Sequence, residues 1–166
     1  MKLKDIAIYA KDRVEIKDLS ARNYISTENM LPEKGGIQIA SSLPSISSTS
    51  GFMEDDILVS NIRPYFKKIW FANKLGGCSN DVLVIRAKET CYPKFLYYIL
   101  SENHFFDYST ASAKGTKMPR GDKSAIMEYE VPDLDITEQI TIANILSSLD
   151  DKIALNTRIN DNLIPN

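Results

Sequence analysis

From Thr137 to Leu163 the chain runs 27 residues without a proline or glycine, and this one stretch limits what the rest can do. It predicts a single helix about 40 Å long at 1.5 Å per residue. Ile142, Leu146, Leu149, Ile153, Asn156, Asn160 and Leu163 recur at alternating spacings of four and three, the heptad rhythm of a coiled-coil seam, and Leu155 and Ile159 widen the stripe. Two asparagines in a seam lower its stability but fix register, because a buried amide left unpaired penalises other arrangements. The competing reading is a helix laid back on its own domain. A helix of this length outruns what one small domain needs, which favours the seam.

Upstream the pattern changes. With 166 residues and 43% hydrophobic composition the whole chain is about one domain's worth, divided here into residues 1–135 and a helical segment 136–166. The first part reads as a mixture of short strands, loops and helices. Met1 to Asp18 starts as a strand or short helix, Pro32 with Gly35-Gly36 marks a loop, and Ser41–Gly51 holds six Ser and a Thr in eleven residues. That serine-rich stretch is either an adaptable set of hydroxyls or a plain polar connection. ILVSNI after Asp55-Asp56 suits a strand ending at Arg63-Pro64, and DVLVIR, Asp81 to Arg86, is the clearest buried strand. Between them YFKKIWFAN interleaves Tyr65, Phe66, Trp70 and Phe71 with Lys67 and Lys68, as expected if one strand face packs and the other meets phosphates; Gly76-Gly77 then predicts a turn. Pro93 opens a helical stripe of Phe95, Tyr98, Ile99 and Phe106, read as core.

Charge is uninformative in total and informative by segment. Twenty basic against 22 acidic residues leave −2, which offers no global reason to expect a nucleic acid partner. Arg63 to Lys123, however, holds eleven basic and five acidic side chains, a net of +6, so the remainder carries −8. Arg86, Lys88 and Lys94 read as ordinary surface cations. Lys114, Thr116, Lys117 and Arg120 sit in a loop punctuated by Gly115, Pro119 and Gly121, whose exposed amides and cations suit phosphates and groove edges; a merely solvated loop is the alternative.

Catalytic and metal signatures are sparse. Cys78 and Cys91 lack CxxC spacing and read as reduced thiols, and the lone His104 reads as structural or exposed; together they do not make a zinc site of the usual kind. No GxxxxGK, GxSxG or HExxH occurs. Glu15-Ile16-Lys17 with Asp5 upstream matches an acidic-x-Lys nuclease triplet, but such triplets arise by chance in a chain with 25% charged residues. A binding protein is the better class. With no long apolar run and no secretory pattern in MKLKDIAIYAKD, the chain is expected in the cytoplasm and away from membranes.

DDILVSNIRPYFKK, SNDVLVIRA, PKFLYYILSENHFFDYSTASAKGTKMPRG and YEVPDLDITEQITIANILSSLDDKIALNTRINDNL together resemble the specificity subunit of type I restriction-modification enzymes. The tail carries most of the likeness: Pro132 in an extended segment, Glu138-Gln139, the apolar run Ile142 to Leu146, then Leu149 to Ile153 as a Leu-Asp-x-Lys-Ile-like signature. NYISTENMLPEKGG near the start fits as well. The resemblance implies an α/β target-recognition domain of mixed α+β type, followed by a conserved helix that acts as spacer and dimerisation element. It implies a non-catalytic subunit that reads one half of a split double-stranded DNA target and docks methyltransferase subunits, restriction subunits joining the same complex. Cofactors are expected in none of this chain; the partner subunits use S-adenosylmethionine, ATP and magnesium. Such subunits carry two recognition domains, so this chain resembles a half subunit; two copies joined through the helix would restore the pair, and the alternative is a truncated fragment acting as an interaction or dimerisation module without independent DNA recognition. Arg63, Tyr65, Lys67, Lys68, Lys114, Thr116, Lys117 and Arg120 are the expected DNA contacts, and the acidic stretch Glu128 to Glu138 is expected to face away from DNA.

Overall fold

A computed structural model describes residues 1–164 of the chain; Pro165 and Asn166, the end of the expected helical segment, lie outside the described residues. Elements are numbered in chain order. α1 (Leu3–Ile6), β1 (Ala7–Tyr9), β2 (Arg13–Glu15) and β3 (Tyr24–Ile25) come first, followed by β4 (Ser48–Phe52), β5 (Ile57–Ser60), β6 (Ile69–Phe71), β7 (Gly76–Cys78) and β8 (Val82–Ala87). Four helices close the chain: α2 (Pro93–Leu100), α3 (Asn103–Ser112), α4 (Lys123–Met127) and α5 (Ile136–Leu163).

Among the described residues two four-stranded sheets form. One is antiparallel throughout, in the order β1-β8-β5-β6; the other runs β2-β4-β7-β3, with β3 parallel to β7. The first sheet is buried on both faces. Ile57, Val59, Leu83 and Ile85 point toward Phe95, Leu96, Phe105 and Phe106 of the helices, while Leu58, Val82 and Val84 point toward Ile25, Phe52 and Cys78 of the second sheet. A strand with apolar neighbours on both sides needs an unbroken apolar run, which is why ILV and VLVI read as they do.

The region following Arg63 departs from the strand expectation. Pro64–Phe66 form a 3-10 turn flanked by Arg63 and Lys67, both left-handed with φ 49° and 53°, and only Ile69–Phe71 is strand. Proline supplies no ladder donor and starts a turn instead. Gly76-Gly77 is likewise strand where a turn was expected. A Cβ at Gly76 would collide with the Asn23 carbonyl oxygen, and one at Gly77 would press on Val14, Leu19 and Thr49, so these glycines allow close packing between neighbouring strands. The serine-rich stretch ends in β4, and only its first part is loop. The Phe95-to-Phe106 stripe is split between α2 and α3; Phe95, Ile99 and Phe106 are core but Tyr98 is half-buried. Pro132 is exposed and lies outside any strand; Glu130 alone bridges to Lys2.

α5 opens with a capping box in which the Asp135 carboxylate accepts from the Glu138 amide (2.9 Å) and the Glu138 carboxylate from the Asp135 amide (3.0 Å). One turn later Gln139, 3% exposed, fastens the helix to the body. Its Nε2 donates to the carbonyls of Leu134 (2.9 Å) and Thr90 (3.3 Å), and its Oε1 accepts from the Tyr92 amide (2.9 Å). Ala143 packs flush, and Tyr98 donates to Asp150 at 2.7 Å. Beyond Asp150 every described residue of the helix is exposed. The first turns of this helix therefore lie on the domain, and the part beyond Asp150 projects from it.

Candidate nucleic-acid interface

The basic loop is closed at its neck. Lys114 and Arg120 exchange both backbone hydrogen bonds at 2.9 Å, and Gly115 turns the chain at φ 103°, a conformation that favours glycine. Thr116, Lys117 and Met118 form the exposed tip. The neck is stitched to the end of β5: the Arg63 amide donates to the Pro119 carbonyl (2.8 Å) and the Gly121 amide to that of Asn61 (3.2 Å). The Arg63 guanidinium leans on the Lys117 carbonyl at 3.4 Å. Two cationic segments far apart in sequence thus share one surface.

The eight expected contact residues do not behave alike. Arg63, Thr116, Lys117 and Arg120 stand together on this surface, and Arg120 donates from Nε to Asp81 at 3.2 Å. Lys114 pairs with Asp122 at 2.8 Å; that contact raises the lysine above its ordinary value and holds the carboxyl below its own, helped by the Ser124 and Ala125 amides that Asp122 caps. Tyr65 is exposed, its ring edge-on to Phe66 at 5.0 Å. Lys67 faces Glu33 at 3.8 Å, and Lys68 donates to the Thr27 carbonyl at 2.6 Å, so both brace the turn around Pro64. Glu33 and Lys34, also left-handed at φ 53° and 60°, donate their amides to the carbonyls of Phe66 and Lys67. Non-glycine residues in this conformation cost on the order of 1 kcal/mol each, and here four of them are clustered beside the loop.

Next to Arg120 opens a polar cavity of about 330 Å³ whose lining includes Thr27, Gln38, Ser41, Ser42, Ser79 and Asp81. Ser41 and Ser42 belong to the serine-rich stretch. Gln38, Ser79 and Asp81 carried no local signal, because the cavity exists only once three loops converge.

Several other charged residues hold the fold. Arg86, read as a surface cation, forks onto the buried Asp56 (Nε–Oδ1 2.7 Å, Nη2–Oδ2 2.8 Å) and reaches Asp12 at 2.8 Å. The hydrogen bonds it donates to the Asp56 carboxylate are the main cause of its raised basicity. Lys88 donates to the Lys4 carbonyl. In the acidic stretch Glu128 and Glu130 pair with Lys4 and Lys2, clasping the N-terminal segment. Glu15 pairs with Lys17 across 2.7 Å and Asp5 accepts the Lys2 amide; no group of three or more His, Cys, Asp or Glu suited to a metal occurs among the described residues. His104 meets the Tyr129 hydroxyl at 3.1 Å, and both cysteines are free and buried. No helix among the described residues is long and apolar enough to cross a membrane.

Along α5 the expected seam positions follow the division of the helix. Ile142 and Leu146 line an apolar cavity of about 480 Å³ with Phe95, Tyr98, Pro132 and Leu134. Leu149, Ile153 and Leu163 are 54%, 63% and 73% exposed, with Asn156 and Asn160 exposed between them.

The fold is that of solved specificity subunits. The chain superposes with a TM-score of 0.73 on a chain from work on the structural basis of complex assembly and conformational transition of the type I R-M system, at 20% identity, covering 98% of this chain and 44% of that one. The HsdS subunit from Thermoanaerobacter tengcongensis gives 0.72 at 19% identity with the same coverages, and the S subunit from M. genitalium 0.65 at 21%, covering 98% and 42%. The type I restriction modification DNA specificity domain matches residues 1–164, and the chain belongs to that family. The EcoDI specificity subunit of Escherichia coli is 29% identical over 103 residues, 62% of this chain and 23% of that subunit. This chain spans less than half the length of each of these relatives.

Proposed function

We propose that this chain is a non-catalytic specificity subunit that reads one half of a bipartite double-stranded DNA target and docks methyltransferase subunits of a type I restriction-modification complex. What supports the reading is the stitching of Arg63 to Pro119, which gathers Arg63, Thr116, Lys117 and Arg120 on one face beside a polar cavity. Phosphates are engaged by Arg63 and Lys117 and base edges by the other polar groups of this face, with Tyr65 and Lys114 at the margin. Lys67 and Lys68 support the turn rather than the ligand. In this reading S-adenosylmethionine, ATP and magnesium serve the methyltransferase and restriction subunits, and this chain holds none of them. The exposed row of α5 is the docking element. Two copies joined isologously through it would present two recognition domains and select a palindromic bipartite target.

The test is binding of duplex DNA by the chain in complex with methyltransferase subunits. Arg63→Ala and Lys117→Ala are expected to weaken binding and to flatten the fall of log K with log salt by about one per phosphate contact removed. Binding indifferent to both substitutions and to salt would sink the proposal. Mapping methylated sites in a host with and without this gene gives a second readout. Unchanged methylation alongside intact copurification with the methyltransferase would instead identify a docking module that no longer reads DNA.

A further inference from the structure

Among the cations of the basic surface, Arg120 stands in a distinct chemical setting. Lys114 shares its carboxylate with the cap of α4, and Lys67 and Lys68 brace the Pro64 turn. Arg120 uses only Nε, toward Asp81 Oδ1; among the described residues its two terminal nitrogens meet no acceptor, and Asp81 Oδ2 meets no donor. Both side chains are open to solvent, at 53% and 38%. Both backbones are fixed, since Arg120 is paired with Lys114 and Ile62, and the Asp81 carbonyl accepts from the Asn61 amide at 2.8 Å immediately before β8.

A carboxylate here is a poor choice for a phosphate clamp, because it repels the backbone that the neighbouring cations attract. It suits a base pair. The major-groove edge of G·C presents two acceptors, guanine O6 and N7, beside one donor, the cytosine N4 amine. A free guanidinium fork next to a free carboxylate oxygen is the complement of that edge. Resting on the DNA-reading function proposed above, we propose that Arg120 and Asp81 together read one G·C pair, Arg120 donating to guanine and Asp81 accepting from cytosine. Their ion pair holds the fork in place before DNA arrives, and Thr27, Gln38 and Ser79 in the adjoining cavity lie beside the neighbouring step.

The experiment is selection from a random-core duplex DNA library by the complex of this chain with methyltransferase subunits, for the unaltered chain and for Arg120→Ala, Arg120→Lys, Asp81→Ala and Arg63→Ala. The unaltered complex is expected to require G·C at one position. Arg120→Ala and Arg120→Lys should each relax that requirement about tenfold to a hundredfold while keeping the other positions, and Asp81→Ala should relax the same position. Arg63→Ala should weaken all sequences evenly. Arg120→Lys keeps charge and exposure, so its relaxation cannot come from lost folding or lost net charge. Even weakening by Arg120→Ala, with the salt slope reduced by about one and preferences unchanged, would make Arg120 a phosphate contact and overturn the proposal. Unchanged selection by all the Arg120 and Asp81 variants would reduce the pair to a loop fastener and overturn it too. An unaltered complex that binds DNA without any sequence preference overturns the DNA-reading proposal itself.

Discussion

Arg86 links three segments that are not adjacent in the chain: it projects from β8, forks onto Asp56 ahead of β5 and reaches Asp12 ahead of β2 in the other sheet. Asp56 is 1% exposed and also accepts the Met53 amide at 2.9 Å. Removing the cation therefore leaves a carboxylate buried without its counter-charge. Such one-sided deletion is far costlier than losing a surface pair, on the order of 3–5 kcal/mol against less than about 1. Arg86→Met is expected to lower the urea midpoint accordingly, with the denaturant slope unchanged. A loss below about 1 kcal/mol would place Asp56 in a better solvated position than its burial implies. In the sequence this arginine looked like any other surface cation, since the partners that make it structural lie 30 and 74 positions away.

The elements differ in how far their causes reach along the chain, and that decides what could be read beforehand. α5 was legible because its signal is local: no proline or glycine over 27 residues and a regular apolar spacing, whereas its cap at Asp135 and Glu138 emerged only in the structure. β8 was legible because a strand covered on both faces needs a continuous apolar run. The strand at Gly76-Gly77 was not, because its glycines answer to Asn23, Val14 and Leu19, brought close by the fold. The same holds for the candidate interface. The loop's cations and punctuation are visible in sequence, whereas Asp81 and Gln38 join them only through tertiary convergence. For α5 the division between docked and projecting turns carries its own expectation. Leu149→Glu with Ile153→Glu, on the projecting part, should leave the unfolding free energy of the monomeric chain within about 0.5 kcal/mol, since neither side chain is buried. The same pair should abolish association with methyltransferase subunits or a second copy, read by sedimentation and copurification. Retained association would move docking off this row.

At the scale of the whole molecule the two cysteines report on separate cores, Cys91 among the helices and Cys78 between the sheets. Burial pushes both thiols up from an ordinary value of 9, Cys78 to about 12 and Cys91 to about 11. A folded-state value above the unfolded one means that thiolate forms preferentially in the unfolded chain. Their contribution is complete below pH 9 and declines as pH rises toward 11, by up to about 1.4 kcal/mol per unit for each thiol. Urea midpoints measured from pH 8 to 10 should fall accordingly. A thiol reagent at pH 8 should leave both cysteines untouched in the native state and label both together on unfolding; one cysteine reacting alone would mean that the two cores open separately.

The closed neck of the basic loop has an evolutionary corollary. Lys114 and Arg120 return the chain to the same point whatever lies between them, and the Arg63 and Asn61 contacts hold that point against β5. The tip is therefore decoupled from the stability of the domain: residues 116–118 are free to vary, exchange or lengthen at little folding cost, since a closed surface loop pays only a small entropy for added length. Under the DNA-reading function proposed above, new target preferences accumulate there without the scaffold having to change.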